Sequence, residues 1–209
     1  MHADGRTAPT CSFCAAANPS ELIRESRGGI KALASYGGFV PGWTLIVPPE
    51  HVPSTACLSF DARAKFDEFR KEIGRVIEDR AGEYVMFEHG AADFSRPAGC
   101  GVDHAHIHLV PLDVDLRWAI AELGDLDLES AWQPVVDWPV HKDGKDYIWV
   151  SDRTGSWISH TSSQPSQVVR RAIARVLNLS QWDWKKDIRL DNVRETTRLL
   201  SVDQAHTLA

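Results

Sequence analysis

Three histidines at alternate positions are the residues of this sequence best suited to chemistry. His104, His106 and His108 are separated by the apolar residues Ala105 and Ile107. Because successive side chains of a β-strand point to opposite faces, this spacing predicts three imidazoles on one face at roughly 6.6 Å intervals, backed by an apolar face. Such a row adds little to stability, so the strict alternation indicates a functional site. A neutral imidazole is also a nucleophile near pH 7, because its ordinary pKa of about 6.5 leaves one nitrogen unprotonated.

Two cysteines near the start of the chain form a second candidate site. Cys11 and Cys14 have the Cys-x-x-Cys spacing of half a zinc site, whose other ligands must come from elsewhere in the chain. A redox pair, a structural disulfide and a motif without metal remain open as alternatives. A redox pair usually opens a helix directly after a strand, which the preceding residues do not predict. A disulfide is disfavoured in a reducing compartment.

The composition favours a globular protein that acts on small molecules. The 209 residues carry a formal net charge of −6, with 43% hydrophobic and 25% charged residues. A nucleic-acid surface normally shows a basic stripe, so we expect no nucleic-acid partner. The first ten residues lack the basic and apolar regions of a signal peptide, and no segment approaches the roughly 20 apolar residues that span a bilayer. We therefore expect a cytoplasmic protein with reduced cysteines and no membrane partner.

Hydrophobic periodicity predicts an α+β fold that positions these residues. Alternating patterns predict strands over 22–26 and 30–36, paired as a hairpin, and further strands over 43–47 and 83–88. Apolar residues at helical spacing predict one long helix over 59–80.

Beyond Pro111 the pattern predicts shorter elements. They comprise strands over 133–138, 146–151 and 155–160 and helices over 116–123, 165–179 and 192–200. We expect residues 1–10 to form a disordered tail, 11–114 to form one domain, and 115–209 to form an α/β C-terminal extension packed on that domain.

The histidine run and two upstream segments resemble the histidine triad (HIT) superfamily. The signature of that superfamily alternates three histidines with apolar residues, as in the run from His104 to Val110. The segment from Pro41 to Val52 resembles the upstream HIT strand, and Cys11-x-x-Cys14 resembles the zinc knuckle of many bacterial members. The resemblance covers roughly residues 11–111, about half of the chain. It implies a HIT-like fold, which is an antiparallel sheet with a long helix.

The resemblance implies nucleotidyl transfer through a covalent intermediate. In the superfamily the middle histidine, here His106, attacks the α-phosphate of a nucleotide conjugate, and water then hydrolyses the nucleotidyl-histidine. The carbonyl of His104 would orient His106, and His108 would donate to a phosphate oxygen as a charged group. Transferase branches carry glutamine at the third position, so His108 favours a nucleotidyl hydrolase acting on a dinucleoside polyphosphate or a nucleoside phosphoramidate. A nucleotidyltransferase or phosphorylase, and a nucleotide-binding regulator with incidental hydrolysis, remain alternatives.

The resemblance also nominates residues for metal and substrate binding. His51 and His104 would complete a structural zinc site with Cys11 and Cys14. Glu88 aligns with an asparagine that contacts phosphate in relatives, so we expect this carboxylate to meet a sugar hydroxyl or a cationic group instead. The remaining candidates for substrate binding are the loop residues Gly99, Cys100 and Gly101, the aromatic residues Phe13 and Phe39, and Gln167 at the start of a helix.

Two further expectations concern the other histidines and the oligomeric state. His89, His141 and His160 are expected to be surface or core histidines without a catalytic role. Short relatives pair their sheets as homodimers, and the C-terminal extension would either cover or rebuild that surface, so a homodimer remains open.

Overall fold

A computed structural model describes residues 11–95, 102–123, 132–161 and 166–201. Within these residues the chain is a mixed α+β protein built on one antiparallel sheet of eight strands. The strands are β1 (Leu22–Glu25), β2 (Lys31–Ala34), β3 (Thr44–Val47), β4 (Tyr84–Gly90), β5 (Ile107–Pro111), β6 (Gln133–Pro134), β7 (Asp146–Asp152) and β8 (Gly155–Thr161). They lie side by side in the order β1-β2-β3-β5-β4-β7-β8-β6.

Four α-helices accompany the sheet in the described part of the chain. They are α1 (Phe60–Ala81), α2 (Leu116–Ala121), α3 (Val168–Val176) and α4 (Leu190–Leu200). The predicted long helix is confirmed as α1, which begins where the Ser59 side chain accepts a hydrogen bond from the Ala62 N–H. No helix among the described residues is long and apolar enough to cross a membrane.

Apolar side chains pack on both faces of the sheet. On one face, residues of α1 such as Phe66 and Ile73 pack with Ile107 and Leu109 of β5. On the other face, residues of α3 such as Ile173 pack with β4 and β7. The histidine face is therefore covered as well, and His106 and His108 are each only 6% exposed.

The residues after 114 continue the same sheet. Strand β7 pairs with β4 along five residues, from Met86 opposite Ser151 to Gly90 opposite Tyr147. Gly90 is required at this crossing, because a Cβ atom there would lie 2.1 Å from the Tyr147 ring. The C-terminal segment thus shares both the sheet and the core with the segment that carries the histidines.

The hairpin of β1 and β2 is confirmed, whereas the histidine strand is shorter than expected. Strand β5 begins at Ile107, so His108 alone of the three histidines belongs to it. The backbone N–H of Ala105 donates to the carbonyl of Val52, 2.8 Å away, which draws the preceding segment to a loop instead of to β3 or β4. The predicted strand over 133–138 is also reduced to the two residues of β6.

Candidate functional site

His106 is held in the orientation that a nucleophile needs. Its Nδ1 lies 2.7 Å from the backbone carbonyl of His104. A carbonyl only accepts hydrogen bonds, so Nδ1 carries the proton and Nε2 keeps its lone pair in the neutral ring. Burial lowers the pKa of His106 below its ordinary value, and the nearby Glu88 carboxylate partly offsets that shift. His106 is therefore a buried, neutral imidazole, and its contact with the His104 carbonyl is the expected one.

His108 is held in the opposite tautomer by Trp43. The indole Nε1–H of Trp43 donates to Nδ1 of His108 at 3.0 Å. Since an indole only donates, Nδ1 of His108 is unprotonated and Nε2 carries the proton. The ring also stacks on Phe87, with 4.2 Å between ring centroids.

The expectation that His108 acts as a charged donor disagrees with this environment. Burial lowers the pKa of His108 well below its ordinary value, and the neighbouring His106 and Arg170 lower it further. A second proton on Nδ1 would also break the hydrogen bond from Trp43. His108 is therefore a neutral imidazole with a fixed Nε2–H donor.

A pocket lies over the two histidines, with a floor formed by a row of residues across four strands. Leu33 of β2 lies opposite Leu45 of β3, and Leu45 lies opposite His108 of β5. On its other side, His108 lies opposite Phe87 of β4. The space within the pocket is about 740 Å3 when the open solvent at its mouth is included. The C-terminal segment supplies its opposite wall through Gln167, Arg170 and Trp184.

Arg170 of α3 brings a buried positive charge to this wall. Its guanidinium donates to the carbonyls of Gly37 and Tyr36. It also lies over the indole ring of Trp43, 4.5 Å from the ring centroid. Arg170 therefore contacts the backbone that follows β2 and the residue that orients His108.

The predicted substrate-binding residues are only partly brought together. Phe13 lines the pocket and meets His106 edge to face, with 5.3 Å between ring centroids. Gln167 lines it too, although its amide is engaged by Asp183 and by the backbone N–H of Trp184. Phe39 packs against Trp43 in the core and is not among the lining residues that the structure describes. The predicted loop residues Gly99, Cys100 and Gly101 lie outside the described residues.

Glu88 is buried beside the site but does not line the pocket in the described part of the chain. Its carboxylate accepts hydrogen bonds from the backbone N–H and the hydroxyl of Thr55, at 2.7 and 2.6 Å, and from the Tyr147 hydroxyl at 2.7 Å. Burial raises the pKa of Glu88, and the hydrogen bonds from Thr55 oppose that rise. Hydrogen bonds within the protein thus engage the carboxylate that we expected to contact substrate.

The described lining residues that the sequence analysis did not nominate include Glu21 and His89. Glu21 lies directly before β1 and is the only carboxylate among the described lining residues. His89 on β4 lines the same pocket, although the sequence favoured a core or surface role for it. Alternation along β4 was the available signal for His89, because it places His89 on the same face as Phe87.

A cluster of two cysteines and two histidines adjoins the pocket. The ligand atoms of Cys11, Cys14, His51 and His104 all lie within 4.8 Å of one another. Nε2 of His104 donates to the Pro48 carbonyl at 2.9 Å. Nδ1 of the neutral ring is therefore unprotonated, and its lone pair is available to the cluster. Burial lowers the pKa of His104 to about 4, so the ring is neutral and can serve as a ligand.

The spacing within this cluster suits one tetrahedral metal ion. The Nδ1 atoms of His51 and His104 are 3.2 Å apart, and Sγ of Cys14 lies 3.2 Å from the first and 3.5 Å from the second. Zinc–ligand bonds of 2.0 to 2.3 Å in a tetrahedron give ligand separations of roughly 3.3 to 3.8 Å. The described residues therefore contain a Cys2His2 cluster that could bind a metal ion and is compatible with zinc.

The structure thus defines an α+β protein whose pocket holds two oppositely oriented neutral imidazoles beside a Cys2His2 cluster. No protein-family model matches the chain. The chain is similar to CWF19-like protein 1 of Xenopus laevis, with 24% identity over 191 residues. That alignment covers 84% of this chain and 34% of the frog protein, so the chain spans about a third of the length of the relative it matches. At this identity the match carries no activity over to this chain.

Proposed function

We propose that this chain has a HIT-like fold and is a nucleotidyl hydrolase of that superfamily, acting through a covalent intermediate on His106. The observation that carries the proposal is the pairing of tautomers in one pocket: Nδ1 of His106 is tied to the His104 carbonyl, while Trp43 leaves His108 with an Nε2–H donor. One ring thus offers a lone pair and its neighbour a proton. This combination suits attack on a phosphoryl group whose oxygens accept hydrogen bonds.

The proposed reaction has two displacements at the α-phosphorus. Nε2 of His106 bonds to phosphorus as the bond to the leaving group breaks, and the leaving group departs with that electron pair and takes up a proton from solvent. Water then attacks the same phosphorus and loses a proton to solvent, and the P–N bond breaks with its electron pair returning to Nε2. A nucleoside monophosphate is released. The Nε2–H of His108 donates to a non-bridging oxygen in both steps.

The end of the pocket near Phe13 suits the nucleoside. Phe13, Leu33 and Leu45 offer apolar surface for a base. Glu21 offers a carboxylate that can accept hydrogen bonds from ribose hydroxyls. We therefore assign the base and sugar to this end and the phosphate to the histidines.

The Cys2His2 cluster would hold a structural zinc ion through Cys11, Cys14, His51 and His104. Such an ion would tie the N-terminal segment to the residue whose carbonyl orients His106. The hydrogen bond from His104 to the Pro48 carbonyl supports this assignment, because metal-binding histidines usually donate their second N–H to a fixed acceptor.

A comparison of products tests the proposal against its two alternatives. The protein is incubated with adenylated, guanylated and uridylylated conjugates, with and without inorganic phosphate, and the products are identified by mass. The hydrolase releases a nucleoside monophosphate without phosphate, whereas a phosphorylase requires phosphate. Binding without multiple turnovers supports the regulator. For the hydrolase, His106→Asn should reduce turnover on the order of 1,000-fold while retaining binding, and near wild-type turnover by this variant would exclude the mechanism.

A further inference from the structure

His89 is a buried histidine that has no hydrogen-bond partner among the described residues, and it lies in the pocket of the proposed active site. Its side chain is 7% exposed. Both Nδ1 and Nε2 are shielded from solvent, and neither has a hydrogen-bond partner in the described part of the chain. Buried polar atoms nearly always have such partners, so an unpaired pair facing a pocket indicates a missing ligand.

The register of β4 explains why His89 faces the pocket and Glu88 does not. Val85 and Phe87 pack with the core on the α3 side, whereas Tyr84 and Met86 pack on the α1 side. Alternation therefore places Glu88 on the α1 side and His89 on the pocket side. The antiparallel register that pairs Phe87 with His108 also carries His89 towards His106.

The position of His89 corresponds to the leaving-group end of the pocket. In the sheet, β4 lies on one side of the histidine strand, and β3 and β2, which carry Leu45 and Leu33, lie on the other. The nucleoside was assigned to that second side, so His89 lies away from the base. Glu21, the one carboxylate among the described lining residues, directly precedes β1 and so also lies at the nucleoside end.

We propose that His89 is a substrate-binding residue that donates a hydrogen bond to the departing phosphoryl group. The preferred substrates are therefore phosphoanhydrides such as dinucleoside polyphosphates, rather than phosphoramidates of simple amines. This assignment rests on the proposed function and narrows its substrate class. A ring nitrogen of His89 supplies the donor, and a non-bridging oxygen of the departing phosphate is the acceptor. Because the contact is made to the leaving group, it acts in the first displacement and is absent from the second.

Single-turnover kinetics with matched substrates test this assignment. Formation of the His106 adduct is followed with diadenosine triphosphate and with adenosine phosphoramidate, or with the same pair for another base that the protein prefers. His89→Leu should slow adduct formation from the triphosphate about 10- to 100-fold, and from the phosphoramidate less than about 3-fold. Hydrolysis of the adduct should keep its rate. His89→Gln, which retains a donor, should recover part of the loss. Equal slowing of both substrates, or no slowing, would overturn the assignment.

His160→Leu is the matched control for the loss of a buried histidine. His160 is 6% exposed, and its Nε2 donates to the Val140 carbonyl at 2.9 Å. His160→Leu should therefore lower the melting temperature without changing the preference between substrates. His89→Leu should leave the melting temperature unchanged or raise it, since it removes two unpaired buried nitrogens.

A titration with pyrophosphate tests His89 separately from catalysis. Pyrophosphate binding to the wild-type protein is measured by calorimetry and by the 15N shifts of the histidine side chains. We expect the His89 signals to shift and His89→Leu to weaken binding about 10-fold. Equal affinity of the two proteins would reject the site. If no substrate gives an adduct, the proposed function fails, while this titration still decides whether His89 binds a phosphoryl group.

Discussion

At the scale of single residues, Trp43 controls which nitrogen of His108 carries the proton. The indole keeps Nδ1 of His108 unprotonated, and the ring is packed between Trp43 and Phe87. The indole N–H of Trp43 therefore fixes which nitrogen of His108 can donate a hydrogen bond. The tautomer of His108 thus depends on the indole N–H of Trp43, and not only on the volume of the Trp43 side chain.

We expect Trp43→Phe to disturb the tautomer of His108 while largely preserving the packing. Without the indole N–H, His108 should populate both neutral tautomers, and turnover should fall about 10-fold because the donor is present part of the time. Long-range 1H–15N NMR spectra of the histidine rings report the tautomers directly. Trp118→Phe, at a side chain that is 59% exposed, is the control. An unchanged tautomer and rate in Trp43→Phe would contradict the role of Trp43.

The burial of His108 also predicts how stability depends on pH. Its pKa is depressed in the folded protein, so below about pH 6.5 the unfolded chain binds a proton that the folded protein does not. The contribution to the unfolding free energy is complete above that pH and is lost as the pH falls towards the folded pKa. The loss attributable to His108 should be about 1.4 kcal/mol per pH unit.

Urea unfolding of the wild-type protein and of His108→Gln between pH 7.5 and 5.5 isolates this contribution. The other histidines are present in both proteins, so the difference between the two slopes of unfolding free energy against pH reports His108. A shallower slope in His108→Gln is expected. Parallel curves would show that His108 is not a neutral buried imidazole in the folded protein.

At the scale of secondary-structure elements, α3 closes the pocket and anchors it to the β2 side of the sheet. Arg170 makes this connection through the carbonyls of Gly37 and Tyr36 and through its contact with Trp43. The charge is buried, since Arg170 is 5% exposed. Loss of the guanidinium would leave buried carbonyl groups without these donors.

We expect Arg170→Met to destabilise the protein by about 2 to 4 kcal/mol and to weaken binding of a nucleotide ligand. Arg194→Met is the control, because the Arg194 side chain is 71% exposed and pairs with the exposed Asp191, and it should change stability by less than about 0.5 kcal/mol. Urea denaturation of the three proteins measures the changes in stability, and calorimetry with the nucleotide ligand measures the change in affinity. An Arg170→Met protein as stable as the control would show that α3 is not anchored through this residue.

The elements that sequence predicted well are those with local signals. The β1–β2 hairpin is marked by the turn at Arg27-Gly28-Gly29, and α1 by its helical periodicity. The identity of the two pocket histidines and the tie between His106 and the His104 carbonyl were also accessible, since those residues are neighbours in the chain.

The remaining features depend on contacts that are distant in sequence. The bond between Trp43 and His108 spans 65 residues, and the bond between Arg170 and Gly37 spans 133. The insertion of β7 beside β4 likewise has no local pattern. Glu88 shows the same limit, because its partners Thr55 and Tyr147 lie 33 and 59 residues away in the sequence.

At the scale of the whole molecule, the Cys2His2 cluster joins three parts of the chain. Cys11 and Cys14 lie before β1, His51 follows β3, and His104 precedes β5. A metal ion here would fix the N-terminal segment, including the pocket residue Phe13, against the sheet. Folding stability and pocket shape should therefore both depend on the metal.

We expect protein purified without a histidine tag to contain about one zinc ion per chain. Cys14→Ser should lose most of the metal and lower the melting temperature by about 5 °C or more. Cys57→Ser is the control, because Cys57 contacts Ser54 and lies outside the cluster. Elemental analysis and thermal unfolding give both readouts. Less than about a tenth of an equivalent of zinc in the wild-type protein would reject the structural zinc site.

The most direct test of the central claim is the identification of a covalent nucleotidyl group on His106. The protein is mixed with a nucleotide conjugate, quenched in alkaline denaturant and digested, and the peptide that contains His106 is analysed by mass spectrometry. A gain of one nucleotidyl group at His106 is expected, stable in alkali, lost in acid and missing in His106→Asn, because a P–N bond links nucleotide and imidazole. Full turnover without this adduct, or with the adduct on another residue, would contradict the mechanism.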